Sequence, residues 1–225
     1  MHQSEPRLCG GGYDMVMTVT RDQILEWLCV AGNVMEENKE FLTQLDAAIG
    51  DAEHGTNMDR GFKKFVSQLS TVVDKDIGSI LKSAGTVFIS SMGGACGPLY
   101  GTLFMRAGIA ASGKYELDTA DLAAILRAGL SGVLERGKVQ VGDKTMVDTL
   151  VPAVEAFDGA VKDGEDMVEA LRKTVVAAEK GMKDTILMVA KKGRASYLGE
   201  RSVGQQDPGA TSLYLILKTL CDIVS

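Results

Sequence analysis

Long apolar runs are missing from this 225-residue sequence. No stretch reaches the roughly 18 uninterrupted apolar residues of a membrane-spanning helix. The opening MHQSEPRLCGGGYDMVM has no apolar segment behind a basic one, so neither a secretory signal nor a membrane anchor is expected. Clustered cysteines are missing too. Cys9, Cys29, Cys96 and Cys221 lie far apart with no C-x-x-C pair or zinc-ligand spacing, which predicts reduced thiols in a cytoplasmic protein. Positive charge is in deficit, with 24 Lys and Arg against 30 Asp and Glu and a net charge of −6. That balance argues against nucleic acid or an anionic membrane as partner, because both recruit clustered cations. Period-two alternation over a strand's length is absent, and no Pro/Ser-rich linker, charge block or fixed-period repeat divides the chain.

What remains is helix. In TRDQILEWLCVAGNVM, Thr20 stands as N-cap and Gln23 at the capping-box position, while Ile24, Trp27, Leu28 and Ala31 share one face. Similar spacing predicts helices over residues 36–48, 59–69, 76–91, 98–111, 119–135, 145–157, 164–179, 181–191 and 208–224, with Gly, Asp or Pro between them. The 45% hydrophobic content is enough for a real core, with Trp27, Phe62, Phe88 and Phe104 as candidates. The reading is one all-α domain over residues 19–225. Residues 1–18 read as a disordered extension ahead of a natural start at Met15 or Met17.

One segment does not suit a plain surface helix. LDAAIGDAEHGTNMDRGF, residues 45–62, holds four acidic side chains, the only internal histidine and three glycines. Each glycine costs a helix about 1 kcal/mol relative to alanine, so something must approach this backbone closely. Three more glycine-rich stretches fall where one helical pattern stops and another starts: SSMGGACGPLYG at 90–101, ERGKVQVGDKTMVD at 135–148 and KKGRASYLGERSVGQQDPGATS at 191–212. Pro98 and Pro208 sit well for first-turn prolines. N–H groups at such starts, backed by the helix dipole, bind phosphate. Carboxylates hold hard divalent cations, and magnesium completes its shell with water and substrate phosphates. An acidic loop beside several phosphate-compatible helix starts therefore points to a magnesium nucleotide. Lys138 and Lys144 read as solvated charges. Met146 reads either as core filler or as part of an adenine pocket.

Four segments in this order, LDAAIGDAEHGTNMDRGF, GGACGPLYGTLF, GDKTMVDTL and GRASYLGERSVGQQDPGATS, resemble the motifs of the L subunit of dihydroxyacetone kinase. The likeness runs from about residue 20 to the end of the chain. It implies a barrel of about eight antiparallel helices with a nucleotide at one end. Two Mg2+ would be held by Asp46, Asp51 and Glu53, with Asp51 bridging. His54, Gly55, Thr56 and Asn57 would form a loop contacting phosphate and nucleotide, joined by Ala95, Cys96, Gly137, Met146, Arg194, Asp207, Pro208 and Gly209, with residues 195–202 as a lid. Glu53 stands where the family usually has aspartate, and Cys96 where serine is frequent. The implied activity is a relay. ADP stays bound as a cofactor, is phosphorylated by a phosphohistidine on an M subunit, and passes the group to dihydroxyacetone on a K subunit, so no acceptor-binding catalytic residue is expected here. Other acceptors, such as erythrulose or a fatty acid, and a role as a nucleotide-state reporter to a transcriptional regulator are the alternatives.

Overall fold

Side-chain caps set most helix starts. Thr20 accepts from the Gln23 N–H to open α1 (Arg21–Glu37), Asp76 opens α4 (Ile77–Ser91) and Asp118 opens α6 (Thr119–Gly137). Asp166 opens α8 (Met167–Asp184) and Asp207 opens α9 (Pro208–Val224). Each supplies an acceptor to a first-turn N–H that has no helical partner, which stabilises by about 1 kcal/mol. The other helices, α2 (Lys39–Ile49), α3 (His54–Val66), α5 (Cys96–Ala110) and α7 (Val147–Lys162), start without a side-chain cap of their own. Strand structure amounts to two-residue pieces, β1 (Val19–Thr20) and β2 (Glu116–Leu117), paired antiparallel. The computed structural model describes residues 18–225, so Cys9 and the expectation of an N-terminal extension fall outside the described residues.

The all-α class expected from periodicity holds among the described residues. Helix α1 packs on α3, and neighbours then follow in order from α3 through α4, α5, α6, α7 and α8 to α9, which returns to α1. Apolar side chains fill the middle of this circuit. Trp27, Phe62, Phe88 and Phe104 are all buried there, with ring centroids 4.8 Å apart for Phe62 and Phe88 and 5.1 Å for Phe88 and Phe104. The indole N–H of Trp27 donates to the Ile216 carbonyl at 3.0 Å, meeting the usual need of a buried ring N–H. The resemblance implied a barrel; what the structure supports is the all-α class, with helices packed in sequence round an apolar centre.

Two other expectations change. The helix expected over 59–69 begins earlier, at His54, and the separate helix expected over 181–191 does not form. Instead α8 runs through Gly181 to Asp184, followed by a short 3-10 turn, Thr185–Leu187, and a longer irregular one, Arg194–Ser202. Among the described residues no helix is long and apolar enough to cross a membrane, and Cys29, Cys96 and Cys221 are free thiols.

Candidate functional site

The acidic loop is built by the end of α2 handing over to α3. Asp46, in the last turn of α2, turns its carboxylate across the loop, where Oδ2 accepts the N–H groups of Glu53 at 2.8 Å and His54 at 3.1 Å. Helix α3 is thus capped through space by a residue of the preceding helix. Gly50 makes the arrangement possible, since a Cβ there would lie 2.1 Å from Asp46 Oδ1. Ala52 takes a left-handed φ of 61°, which costs a non-glycine residue about 1–2 kcal/mol. Burial raises the Asp46 pKa above the usual carboxylate range, and the neighbouring Asp51 charge adds to the rise. Asp51 in turn pairs with Arg194 Nε at 2.8 Å. Two neighbouring carboxylates, with a guanidinium drawn onto one of them, are a pair short of positive charge. Such a donor set fits a hard divalent cation. Glu53 lines the same cleft, but its backbone N–H rather than its carboxylate makes the hydrogen bond there. Among the described residues no three His, Cys, Asp or Glu side chains close round one metal position.

Facing this loop is the glycine-rich turn before α5. Asn57 Oδ1 accepts the Gly93 N–H at 3.1 Å and an Arg60 N–H at 2.5 Å, while Arg60 Nε donates to the Ser91 carbonyl at 2.7 Å. Gly94 has φ +59°, and α5 starts at Cys96 with Ala95 as an N-cap that offers no side-chain acceptor. Its first N–H groups therefore remain available to an anion in the cleft. Behind them runs a buried polar chain. Cys96 Sγ lies 3.2 Å from His54 Nδ1, His54 Nε2 lies 2.8 Å from Ser212 Oγ, and Ser212 Oγ lies 2.7 Å from the Tyr100 hydroxyl. Burial pulls the His54 pKa down to about 4, and burial foremost, with Asp46 next, pushes the Cys96 thiol up to about 12. A neutral imidazole against a protonated thiol is neither a nucleophile pair nor a cationic phosphate clamp. His54 fixes the floor of the cleft.

The third wall is the turn between α6 and α7. Asp148 draws it tight by accepting the Gly142 N–H at 2.6 Å and the Thr145 N–H at 2.7 Å. Between those two, Lys144 adopts φ +62° and points inward with 1% of its surface exposed. Its three ammonium N–H groups are shared among four carbonyls, those of Thr185, Met188, Ser202 and Gln205, at 2.7, 3.2, 2.8 and 2.5 Å from Nζ. The reading of Lys144 as a solvated charge is therefore wrong. A lysine in a polar turn gives no local sign of burial, because the carbonyls that receive it lie 41 to 61 residues further on. Met146 is buried and also lines the cleft.

Asp207 is the N-cap of α9, with Oδ2 accepting the Ala210 N–H at 2.7 Å. That helix start is thus already satisfied by its own cap, unlike those of α5 and α7. Burial pushes the Asp207 pKa up to about 7, with the Asp148 charge adding and the Lys144 charge opposing. Between the unfolded value near 3.9 and about 7 the folded protein binds the extra proton, so this group makes stability fall as pH rises through that window. Asp207→Asn keeps an acceptor for the cap and removes the buried charge. Its stability relative to wild type, read from urea unfolding, should grow from pH 4 to pH 7 and level off above; a difference independent of pH would contradict the assignment.

These walls enclose one open cleft of about 410 Å3. The structure brings Asp46, Asp51, Glu53, His54, Asn57, Ala95, Cys96, Gly137, Met146, Arg194, Asp207, Pro208 and Gly209 to its lining. Gly55 and Thr56 are not among the lining residues. Gly55 is buried against α2 and Thr56 is exposed. Pro98, Leu99, Val133 and Val139 supply an apolar side that sequence reading did not assign, since apolar helix positions look the same whether they face core or ligand. One end of the cleft is thus acidic and rich in free N–H groups, while another is apolar, a division that matches a phosphorylated molecule with a flat apolar head.

Residues 48–222 match the DAK2 domain family model. The ADP-binding subunit DhaL of the PEP-dependent dihydroxyacetone kinase of Escherichia coli (strain K12) is 47% identical over 204 residues, covering 91% of this chain and 97% of that protein. The corresponding subunit of the PTS-dependent dihydroxyacetone kinase of Lactococcus lactis subsp. lactis (strain IL1403) is 37% identical over 209 residues, covering 92% and 100%. In three dimensions the chain is similar to the dihydroxyacetone kinase of C. freundii in complex with AMP-PNP and Mg2+, with TM-score 0.68, 21% identity, 99% of this chain and 38% of that one covered. At that identity the structural likeness speaks to the fold.

Proposed function

The chain belongs to the DAK2 domain family, and on that premise we propose that it is the nucleotide-holding subunit of a dihydroxyacetone kinase in the cytoplasm. It would be a phosphotransferase component active with a K subunit that carries the sugar and an M subunit that carries a phosphohistidine. The observation that supports this most is the cleft itself, where the Asp46–Asp51 pair, the uncapped start of α5 and an apolar side face one space. The named functions of relatives that this chain nearly spans end to end agree with it.

Bound ADP, with magnesium neutralising its phosphates, would accept the phosphoryl group and pass it on; this chain's own residues hold, orient and exclude. Asp46 and Asp51 would supply carboxylate oxygens for the cation, and the separation of Arg194 from Asp51 would accompany its arrival. The free N–H groups at the start of α5 offer fixed donors to phosphate oxygens, an arrangement that costs no reorganisation when charge develops. Met146, Leu99 and Val139 would take the apolar face of the base, with Gly137 beside them. Positioning and charge neutralisation are what phosphoryl transfer needs most, so the lack of an activated nucleophile in the cleft is consistent with the role.

We propose two magnesium ions, the second using Glu53 on its exposed side of the loop. Glu53→Asp should then preserve magnesium affinity in the presence of ADP, while Glu53→Gln should weaken it about tenfold by removing one ligand charge. Titration of the three proteins with magnesium checks this, and equal affinities for wild type and the Gln variant would remove Glu53 from the metal. The function is tested by adding the purified chain to K and M subunits charged from phosphoenolpyruvate. Dihydroxyacetone phosphate should form only when this chain and catalytic amounts of ADP are present, whereas equal formation without the chain would overturn the proposal.

A further inference from the structure

The segment 185–207 leaves the end of α8, passes over the cleft and returns to α9. Its own apolar packing is slight, a small cluster in which Ala190, Ala195 and Leu198 meet Ile49. What sits at its centre is the Lys144 ammonium. Two of the four carbonyls it holds, of Thr185 and Met188, lie on the outgoing limb, and two, of Ser202 and Gln205, on the returning limb. Around it the limbs are laced by Gly204 N–H to Ile186 carbonyl at 2.7 Å and Ala190 N–H to Ser202 Oγ at 2.9 Å, and Lys191 N–H ties the segment to Asp143 at 3.0 Å. The exit of the segment is fixed by Asp207 N–H on Thr185 Oγ1 at 3.0 Å. Four carbonyl oxygens turned inward repel one another unless a cation lies between them, and a buried, fully hydrogen-bonded lysine is their counter-charge. The left-handed backbone at Lys144 is what aims it there.

We infer that Lys144 is a positioning residue for the nucleotide site: an internal cation around which the 185–207 segment folds, so that Lys192, Gly193 and Arg194 are held as one wall of the cleft. A corollary follows from the carbonyl set. With the side chain cut back to alanine, the same four oxygens make a site for a small primary alkylammonium ion. The coupling to nucleotide rests on the proposed function, whereas the folding of the segment by the ammonium does not.

The test uses Lys144→Ala and Lys144→Met with two readouts, amide hydrogen exchange of residues 188–205 and ADP affinity in magnesium. In both variants exchange in that segment should accelerate at least about tenfold while the helices keep their protection, and ADP affinity should fall at least about tenfold. Millimolar n-propylammonium chloride should restore both readouts in Lys144→Ala but not in Lys144→Met, where the thioether stem fills the path. Tetramethylammonium and n-propanol should restore neither. If Lys144→Ala folds only with propylammonium present, that dependence is the same rescue read at the level of folding. Unchanged exchange in 188–205, or equal effects of propylammonium, propanol and tetramethylammonium, would overturn the inference. Wild type failing to bind ADP would sink the proposed function instead, with the exchange arm still deciding on Lys144.

Discussion

Asp51→Ala abolishes retention of magnesium and nucleotide while leaving the helices intact. Asp51 sits in the loop between α2 and α3, outside both helices, and pairs with Arg194, so no core contact depends on it. What it contributes is half of a carboxylate pair whose other half, Asp46, is already buried and short of counter-charge. Close like charges are unfavourable until a cation neutralises them, so their presence together serves binding rather than stability. The expected result is loss of about two or more orders of magnitude in magnesium-dependent ADP affinity, roughly 3 kcal/mol. The unfolding midpoint measured without metal should be unchanged or slightly raised. Calorimetric titration with ADP at fixed magnesium, beside thermal unfolding followed by circular dichroism, checks both halves. Wild-type affinity in the variant would sink the assignment of the acidic loop.

Gly55→Ala should produce the largest loss of stability of any single methyl addition near the cleft. The resemblance to the kinase subunit placed Gly55 against the nucleotide, but the structure turns it to α2. A Cβ there would lie 2.0 Å from the Lys39 carbonyl oxygen, 2.5 Å from Thr43 Oγ1 and 2.9 Å from the Thr43 N atom. Two of those three are backbone atoms, which cannot swing aside, so α2 and α3 must part. Overpacking of this kind costs about 3 kcal/mol, or a midpoint lower by about 6–12 °C in a chain of this size. Thermal unfolding of the metal-free protein measures it. An unchanged midpoint with lost ADP binding would return Gly55 to the ligand.

Where the sequence carried local signals, the elements could be read from it. Helices α1, α4 and α9 begin within a residue of expectation because Thr20, Asp76 and Asp207 cap them by side chains three residues from their partners. The start of α3 was missed because its cap is not local, since Asp46 reaches its N–H groups from the previous helix. The expected break between residues 179 and 181 is not there, and Gly181 is instead a point of close approach inside α8, where a Cβ would lie 2.1 Å from the Asp148 carbonyl. Short-range pattern does not distinguish a glycine that ends a helix from one that lets another helix in.

The candidate site shows the same division. The crowding of Asp46, Asp51, Gly50 and His54 was visible as composition, and their convergence on one cleft agrees with it. The neutral state of His54 was not visible, because it depends on burial against Cys96 and Ser212. Nor was the role of Lys144, whose partners are defined only once α8, the 185–207 segment and the α6–α7 turn have come together.

The most direct measurement of the central claim is gel filtration of the purified chain loaded with ADP and magnesium. The cleft as described should carry close to one ADP per chain through the column and release it when magnesium is chelated. Elution of the protein free of nucleotide at every magnesium concentration would contradict the account.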